Sequence, residues 1–231
     1  SLHSPIVIGH RGSLKGVENT KEAIQGSIDA GADYVEADIL LSSDGIPMVI
    51  HDTNLERLSG VNKNIYEMTA KELGELTLSQ EGKTGKISTL EEVINYCKGK
   101  IKLALELKTH GNEKLDVVEE TMSLLKQYDI ISECMFVSLD YNLIDDINTR
   151  YPECNAGFCI YGNAGELDSK TLSTMNTDFV VIEEWMVSTD NLTEFRKAWL
   201  PVYVWTVNNE DSMAEYLEMG VLGLVTDYPD K

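Results

Sequence analysis

Basic residues are scarce in this chain of 231 amino acids. Its 19 Lys and Arg residues stand against 39 Asp and Glu residues, which gives a formal net charge of −20. A surface of that sign repels nucleic acids and anionic membranes. We therefore expect no nucleic-acid partner. An anionic substrate would have to be drawn in by local positive groups or by a metal ion.

Long apolar runs and paired cysteines are also missing. No apolar run approaches the roughly 18 residues of a membrane span, and no signal-peptide pattern precedes Ile6, so we expect no stable membrane insertion. The four cysteines (Cys97, Cys134, Cys154 and Cys159) form no CxxC pair and lie in or beside apolar stretches. Such thiols are typical of buried, reduced residues. This favours a cytoplasmic protein, and the alternative is an extracytoplasmic soluble domain of an exported or membrane-tethered protein.

Strand-like apolar runs alternate with helical segments along the whole chain. Eight such strands, each but the last followed by a helical segment, predict parallel strands with right-handed crossovers. No Gly-rich dinucleotide fingerprint follows the first strand. We therefore expect an α/β fold, a TIM (β/α)8 barrel rather than an open doubly wound sheet, formed by a single domain over residues 1–231. The sequence stops where an eighth helix would begin, so we expect that helix to be missing or truncated.

Two helix starts are predicted from capping and apolar patterns. Asn19 is a good N-cap with Glu22 three residues on, which predicts a helix start at Asn19. A second helix is predicted over residues 115–128, with an apolar stripe that begins at Leu115.

A hairpin is predicted after the second barrel strand. Two apolar runs flank the turn Ser43-Asp44-Gly45, and Asp-Gly between such runs is a strong hairpin signal. Because so short a connection joins only antiparallel strands, the second run folds back along the first. This β-hairpin extension brings His51 and Asp52 near the second strand. The more polar stretch 53–87 that follows predicts a short inserted subdomain.

Two carboxylates, Glu36 and Asp38, alternate onto one face of that second strand. Aimed the same way from an apolar strand, they repel each other and are costly unless something positive lies between them. A divalent cation meets this need, and so does a salt bridge to Lys or Arg at the rim. The strand alone leaves both interpretations open.

The ends of the barrel strands carry most of the other candidates, because functional side chains of TIM barrels lie there. In order, these ends offer His10 and Arg11; Glu36 and Asp38, with His51 on the hairpin; Glu106 and Lys108; Ser138 and Asp140; Glu183 and Glu184; Trp205 and Asn208; Thr226 and Asp227. Three of the carboxylates, Glu36, Asp38 and Glu106, suit a hard cation such as Mg²⁺ or Ca²⁺. No His/Cys cluster has the spacing of a zinc site. Arg11 and Lys108 suit a phosphate, although Lys108 could simply pair with Glu106. Two histidines can serve as acid and base near neutral pH. The set predicts phosphate-ester chemistry.

Eight motifs follow one another along the whole chain: His10-Arg11-Gly12, Glu18-Asn19-Thr20, Glu36-x-Asp38, Asp44-Gly45, His51-Asp52, Glu106-Leu107-Lys108, Trp205-Thr206-Val207-Asn208 and Thr226-Asp227-Tyr228-Pro229. In this order they resemble the glycerophosphodiester phosphodiesterase family, within the phosphatidylinositol-phospholipase-C-like phosphodiesterase superfamily. The spacing includes the short subdomain that such enzymes insert after the His-Asp pair.

The resemblance implies an enzyme that hydrolyses glycerophosphodiesters to an alcohol and glycerol 3-phosphate with one divalent cation. It implies these roles: Glu36, Asp38 and Glu106 as metal ligands; His10 and His51 as the general acid–base pair; Arg11 and Lys108 as phosphate-binding residues; Trp205 lining the glycerol side; Glu18 and Asp52 as supporting residues, with Glu18 orienting Arg11 and Asp52 beside His51. Within the pair we expect His51 to be the acid, because the hairpin can carry it over the leaving-group side.

Two alternatives remain. A lysophospholipase D or phospholipase-C-like phosphodiesterase would use related residues, but a full set of Lys/Arg contacts or a hydrophobic lip would be expected, and the acidic composition disfavours both. A non-catalytic phosphodiester-binding module would be expected to have lost a metal ligand or a histidine, and neither is lost here.

Overall fold

The structure is a computed structural model that describes residues 4–161 and 168–231. Its strands are β1 (Ile6–Gly9), β2 (Tyr34–Leu41), β3 (Pro47–Val49), β4 (Thr77–Gln80), β5 (Lys83–Lys86), β6 (Ser88–Thr89), β7 (Lys102–Leu107), β8 (Met135–Ser138), β9 (Asn155–Ile160), β10 (Val180–Glu183), β11 (Val202–Trp205) and β12 (Gly223–Thr226). Its helices are α1 (Lys21–Asp29), α2 (Glu56–Ser59), α3 (Ala70–Glu75), α4 (Leu90–Cys97), α5 (Val117–Gln127), α6 (Tyr141–Arg150), α7 (Ser169–Leu172), α8 (Thr189–Lys197) and α9 (Glu210–Glu218), with 3₁₀ turns at Ile65–Glu67, Ile131–Glu133 and Glu184–Met186.

Eight parallel strands close into a barrel in the order β1, β2, β7, β8, β9, β10, β11, β12, and β12 pairs back onto β1. Side chains such as Ile8, Val137 and Val181 fill the interior. The outward faces of the strands pack against the helices. Strands buried on both faces read as continuous apolar runs, which is why the alternation is visible in the sequence. The predicted TIM barrel is confirmed.

The hairpin lies where it was predicted. Strand β3 runs antiparallel to β2 and pairs Val49 with Ile39. Gly45 adopts a φ of +75° in the turn, a conformation that glycine accepts without strain. The backbone N–H of Ile50 donates to the carbonyl of Asp38 at 2.9 Å, which places His51 beside the carboxylate-bearing strand.

Residues 53–87 form α2, a 3₁₀ turn, α3 and the β4–β5 hairpin. Their apolar side chains pack on Leu40, Met48 and Ile50 of the β2–β3 hairpin. We call this segment the insert. Because it shares a buried cluster with the hairpin, it is held against the strand end that carries His51.

Two helix starts differ from the prediction. Thr20, not Asn19, is the N-cap of α1 and accepts from the backbone N–H of Ala23. Asn19 has a φ of +62° instead, and its side chain is bonded elsewhere. Leu115 lies before α5, because the carboxylate of Asp116 accepts from the next free backbone N–H groups and fixes the helix start at Val117. Residues 227–231 contain no helix, as expected.

Among the described residues, no helix is both long and apolar enough to cross a bilayer. All four cysteines are buried and unbridged. Burial raises the pKa of the Cys97 and Cys134 thiols to about 12, so these thiols are inert at neutral pH. The cytoplasmic location stays a prediction.

Candidate active site

Three carboxylates from β2 and β7 converge at the mouth of the barrel, by which we mean the C-terminal ends of its eight strands. Parallel pairing sets Glu106 beside Asp38, and Glu36 lies two residues earlier on the same face. One oxygen from each of the three residues lies within 4.8 Å of the others. Their exposed fractions are only 8% for Glu36, 0% for Asp38 and 9% for Glu106. We call this set the carboxylate triad.

The triad is electrostatically costly on its own. Burial and the charge of Asp38 raise the pKa of Glu106 well above its usual range, and burial also raises the pKa of Glu36. Burial alone would raise the pKa of Asp38 too, but the charge of Lys108 and hydrogen bonds outweigh it and lower that pKa. A cation among the three would favour the ionised form of each, because opposite charge offsets both burial and mutual repulsion.

Three buried polar atoms at the mouth have no hydrogen-bond partner among residues 4–161 and 168–231: Arg11 Nε, Asp38 Oδ1 and Trp205 Nε1. Lys108 Nζ lies 3.2 Å from Asp38 Oδ1, but as an ion pair without hydrogen-bond alignment. Buried polar atoms are nearly always paired, so unpaired ones gathered in one place point to a ligand. The two N–H groups fit oxygen acceptors, and the carboxylate oxygen fits a cation.

His10 follows β1 and is held by Asp227, which follows β12. The ring Nδ1 lies 2.8 Å from Asp227 Oδ1, and Nε2 lies 3.7 Å from Glu36 Oε1. Asn208 donates to the other oxygen of Asp227 at 2.9 Å. Burial alone would lower the pKa of His10, but the hydrogen bond to Asp227 and the charge of Glu36 outweigh it and raise that pKa. The arrangement turns Nε2 towards the carboxylate triad.

His51 has a comparable partner in Asp52. Its Nδ1 lies 2.6 Å from Asp52 Oδ1, and Lys108 donates to its backbone carbonyl at 3.3 Å. Burial lowers the pKa of His51, and the charge of Lys108 lowers it further against the opposing charge of Asp38. In both histidines a carboxylate therefore lies within hydrogen-bond distance of Nδ1, an arrangement that leaves Nε2 available for proton transfer.

The two cationic residues flank the triad from either side. Arg11 Nε lies 3.6 Å from Asp38 Oδ2, and Arg11 Nη1 lies 3.3 Å from Glu18 Oε2. Lys108 contacts Asp38, so the simpler pairing with Glu106 is not what the structure has. Glu18 contacts Arg11 as expected, but its shorter hydrogen bonds are with Arg57 and Gln80 of the insert, at 2.7 to 2.9 Å.

Trp205 stands at the end of β11 with its ring centroid 6.4 Å from that of His10, edge to face. Several other strand-end residues have structural partners instead. The hydroxyl of Ser138 donates to the Leu107 carbonyl, and Asp140 caps α6. Glu183 accepts from the indole of Trp185. The structure does not bring these three residues into the triad.

Three residues to which we assigned no role contact residues of the site directly. Asn19 donates to Asp38 Oδ2 at 2.9 Å, Asp227 holds His10, and Arg57 bonds both Glu18 and Asp52. Asp227 was visible as a strand-end carboxylate. Asn19 was interpreted as the helix N-cap, so its contact with Asp38 was not predicted. Arg57 has no sequence signal, because only the folded insert brings it to the mouth.

A TIM barrel with a buried carboxylate triad, two carboxylate-bound histidines and two flanking cations is typical of one class of protein, the enzymes that cleave phosphoric esters. The model of the glycerophosphoryl diester phosphodiesterase family matches residues 9–231. The chain belongs to that family, and it is an enzyme of the phosphodiesterase class.

Individual relatives agree with this assignment. The glycerophosphodiester phosphodiesterase of Thermotoga maritima is 29% identical, with a TM-score of 0.80 over 100% of this chain and 97% of that one. A phosphodiesterase of Oleispira antarctica, solved in complex with the product sn-glycerol-3-phosphate, is 26% identical, with a TM-score of 0.86 over 98% and 94%. The human lysophospholipase D GDPD1 is 26% identical over 97% of this chain and 83% of its own length.

Proposed function

We propose that this enzyme hydrolyses glycerophosphodiesters to glycerol 3-phosphate and an alcohol, with one divalent cation bound by Glu36, Asp38 and Glu106. The observation that carries the proposal is the buried triad between two histidines, in which Asp38 Oδ1 accepts no hydrogen bond from the described residues. Three carboxylates fit a hard cation, and we propose Mg²⁺ or Ca²⁺. When bound, such an ion supplies Lewis-acid polarisation of a phosphoryl oxygen.

The flanking cations bind the phosphate of the substrate. Arg11 keeps a buried Nε–H that no acceptor in the described part of the chain engages, and the Lys108 ammonium stands on the other side of Asp38. A guanidinium offers directed N–H groups to phosphate oxygens, and an ammonium offers a compact charge. Together they offset the charge of an anionic diester in a protein whose net charge is −20.

The two histidines move protons. One takes a proton from the nucleophile, which is water or the neighbouring glycerol hydroxyl, and the other gives a proton to the leaving alkoxide. Attack by the hydroxyl would give a cyclic phosphate and the free alcohol, and a water molecule would then open that ring to glycerol 3-phosphate. Asp227 and Asp52 hold the two Nδ1 atoms, so each transfer takes place at Nε2. Of the two, we predict that His51 is the general acid.

Trp205 lines the glycerol side of the site. Its ring lies beside His10, and its buried indole N–H has no partner among the residues that the structure describes, so it can donate to a glycerol hydroxyl. The Oleispira antarctica phosphodiesterase was solved with the product sn-glycerol-3-phosphate, and this supports a glycerol 3-phosphate group as one half of the proposed substrate.

A substrate panel tests the function. Glycerophosphocholine, glycerophosphoethanolamine, glycerophosphoglycerol and lysophosphatidylcholine are each incubated with the protein and Mg²⁺ or Ca²⁺, and products are identified by ³¹P NMR. We expect sn-glycerol 3-phosphate from the water-soluble diesters, and none from Asp38→Asn. Asp190→Asn, an exposed carboxylate change on α8, serves as the matched control. No turnover of any diester would contradict the proposal and leave the non-catalytic binding module.

Lysophospholipase D activity is the second candidate function, because the human relative bearing that name matches nearly the whole chain. The same panel decides between the two. Release of lysophosphatidic acid from lysophosphatidylcholine at a rate above that of the water-soluble diesters would favour the lysophospholipase.

A further inference from the structure

Arg57, on α2 of the insert, makes a three-nitrogen clamp on two carboxylates. Its Nε donates to Asp52 Oδ2 at 2.7 Å, while Nη1 and Nη2 donate to the two oxygens of Glu18 at 2.9 and 2.7 Å. Every nitrogen of the guanidinium is thus engaged within the protein. The Arg57 side chain is therefore built to hold neighbours rather than to bind a ligand.

Each clamped carboxylate has a second partner in the active site. The other oxygen of Asp52 lies 2.6 Å from His51 Nδ1, and Glu18 Oε2 lies 3.3 Å from Arg11 Nη1. His51 comes from the hairpin and Arg11 from the end of β1. Arg57 therefore joins the two sides of the mouth through Asp52 and Glu18.

The charge balance around Glu18 explains why the clamp matters. The Glu18 side chain is only 9% exposed, so its charge must be met by neighbouring groups. Arg57 meets it with a two-pronged contact, and Gln80 adds one hydrogen bond at 2.9 Å. Without Arg57 the nearest cation for this buried carboxylate is Arg11, whose guanidinium would then be drawn away from the triad.

We propose that Arg57 is a positioning residue for the reaction. It anchors Asp52 so that His51 keeps its orientation, and it satisfies Glu18 so that Arg11 stays available to the phosphate. Through this side chain the insert takes part in catalysis. The inference rests on the proposed phosphodiester hydrolysis and adds to it a function for residues 53–87.

Arg150 provides a matched control away from the mouth. It also clamps carboxylates from two segments, at 2.7 Å to Asp146 and 3.0 Å to Asp116, and its side chain is 33% exposed against 44% for Arg57. Neither of these carboxylates belongs to the site. Arg150→Gln therefore reports the loss of a comparable structural clamp.

The experiment compares steady-state kinetics on glycerophosphocholine for Arg57→Gln, Arg150→Gln and the double variant Arg57→Gln/Glu18→Gln. In Arg57→Gln we expect kcat to fall about 10- to 100-fold, because a misplaced proton-transfer group costs this much. We expect KM to rise about tenfold, the scale of one lost charged hydrogen bond to the phosphate. Removing the Glu18 charge in the double variant should lower KM below that of Arg57→Gln, because no carboxylate then draws Arg11 away, while kcat stays low, because Asp52 is still unanchored.

Binding of sn-glycerol 3-phosphate, measured by calorimetry, gives a readout besides turnover and should follow the KM pattern. Should Arg57→Gln fail to fold, Arg57→Lys keeps the charge but cannot bridge both carboxylates, so its KM should stay near wild type with a reduced kcat. Kinetics of Arg57→Gln equal to those of Arg150→Gln would overturn the positioning role, and so would a KM in the double variant as high as that in Arg57→Gln. A wild-type protein that turns over no diester would instead count against the proposed function.

Discussion

The carboxylate of Asp227 lies 2.8 Å from Nδ1 of His10, across the seam where the last barrel strand pairs with the first. The register sets Gly9 beside Thr226, so the next residue of each strand falls side by side at the mouth. An ionised carboxylate only accepts hydrogen bonds, so Nδ1 carries the proton and Nε2 faces Glu36. Closure of the barrel therefore also brings His10 to the carboxylate that orients its ring.

Asp227→Asn tests this relationship. The amide keeps the shape of the side chain but loses the charge that orients the ring, so we expect kcat/KM to fall about 10²-fold or more, as for other His–Asp pairs. The melting temperature should change little. Asp190→Asn is the control, and steady-state kinetics on glycerophosphocholine make the measurement. Wild-type kcat/KM in Asp227→Asn would show that His10 needs no orienting partner.

The division of labour between the histidines is tested with two leaving groups. A nitrophenyl diester needs little protonation of its leaving group, whereas the natural alkoxide needs it fully. We expect His51→Ala to cost about 10²–10⁴-fold on the natural substrate and far less on the activated one, and His10→Ala to be costly on both. Equal losses on both substrates for both variants would refute this assignment and point to shared phosphate binding.

Gly45→Val tests the hairpin as the carrier of His51. At a φ of +75° a β-branched residue is strained by about 1–3 kcal/mol. An added Cβ would also press on Leu115, which is 48% exposed and can turn aside. Gly99 has a φ of +77° with open space around it, so Gly99→Val should lose similar stability. We expect kcat/KM to fall about tenfold or more in Gly45→Val alone. Equal kcat/KM in Gly45→Val and Gly99→Val would show that the turn does not position His51.

Much of this architecture is local and could be predicted. Strands such as β2 and β7, buried on both faces, give apolar runs that the sequence displays. Parallel strands bring their C-terminal ends together, so the positions of Glu36, Asp38 and Glu106 along the chain were enough to place them at one mouth. The Asp-Gly turn did the same for His51.

The residues that the sequence did not disclose depend on tertiary contacts. Asn is a common N-cap residue, so the sequence around Asn19 predicts a helix cap. The side chain of Asn19 reaches Asp38 only because β2 packs beside it. Arg57 reaches Glu18, 39 positions earlier in the chain, because the insert folds back over the mouth. Start and stop signals govern single helices, whereas these pairings depend on how separate elements pack.

The Arg57 clamp should also make stability depend on acidic pH. Burial would raise the pKa of Glu18 and Asp52, but hydrogen bonds from Arg57 outweigh it and lower both values. Because the folded pKa values lie below the unfolded ones, the clamp stabilises the fold fully above about pH 4 and less as the pH falls through the folded values.

We therefore expect Arg57→Gln to lower the free energy of unfolding by about 1–2 kcal/mol at pH 7, a value reduced for the partial exposure of Arg57. The difference from wild type should shrink below about pH 4, where both carboxyl groups begin to take up protons. Urea titrations at several pH values measure it. A difference that grows on acidification would contradict the pairing.

We propose above all that hydrolysis depends on a cation held by the carboxylate triad. The most direct test follows the release of sn-glycerol 3-phosphate from glycerophosphocholine by ³¹P NMR, first with protein stripped by EDTA and dialysed, then after Mg²⁺ or Ca²⁺ is returned. We expect no release by the stripped protein, recovery of release when the ion is returned, and no recovery in Asp38→Asn. Full activity in thoroughly chelated protein would contradict it.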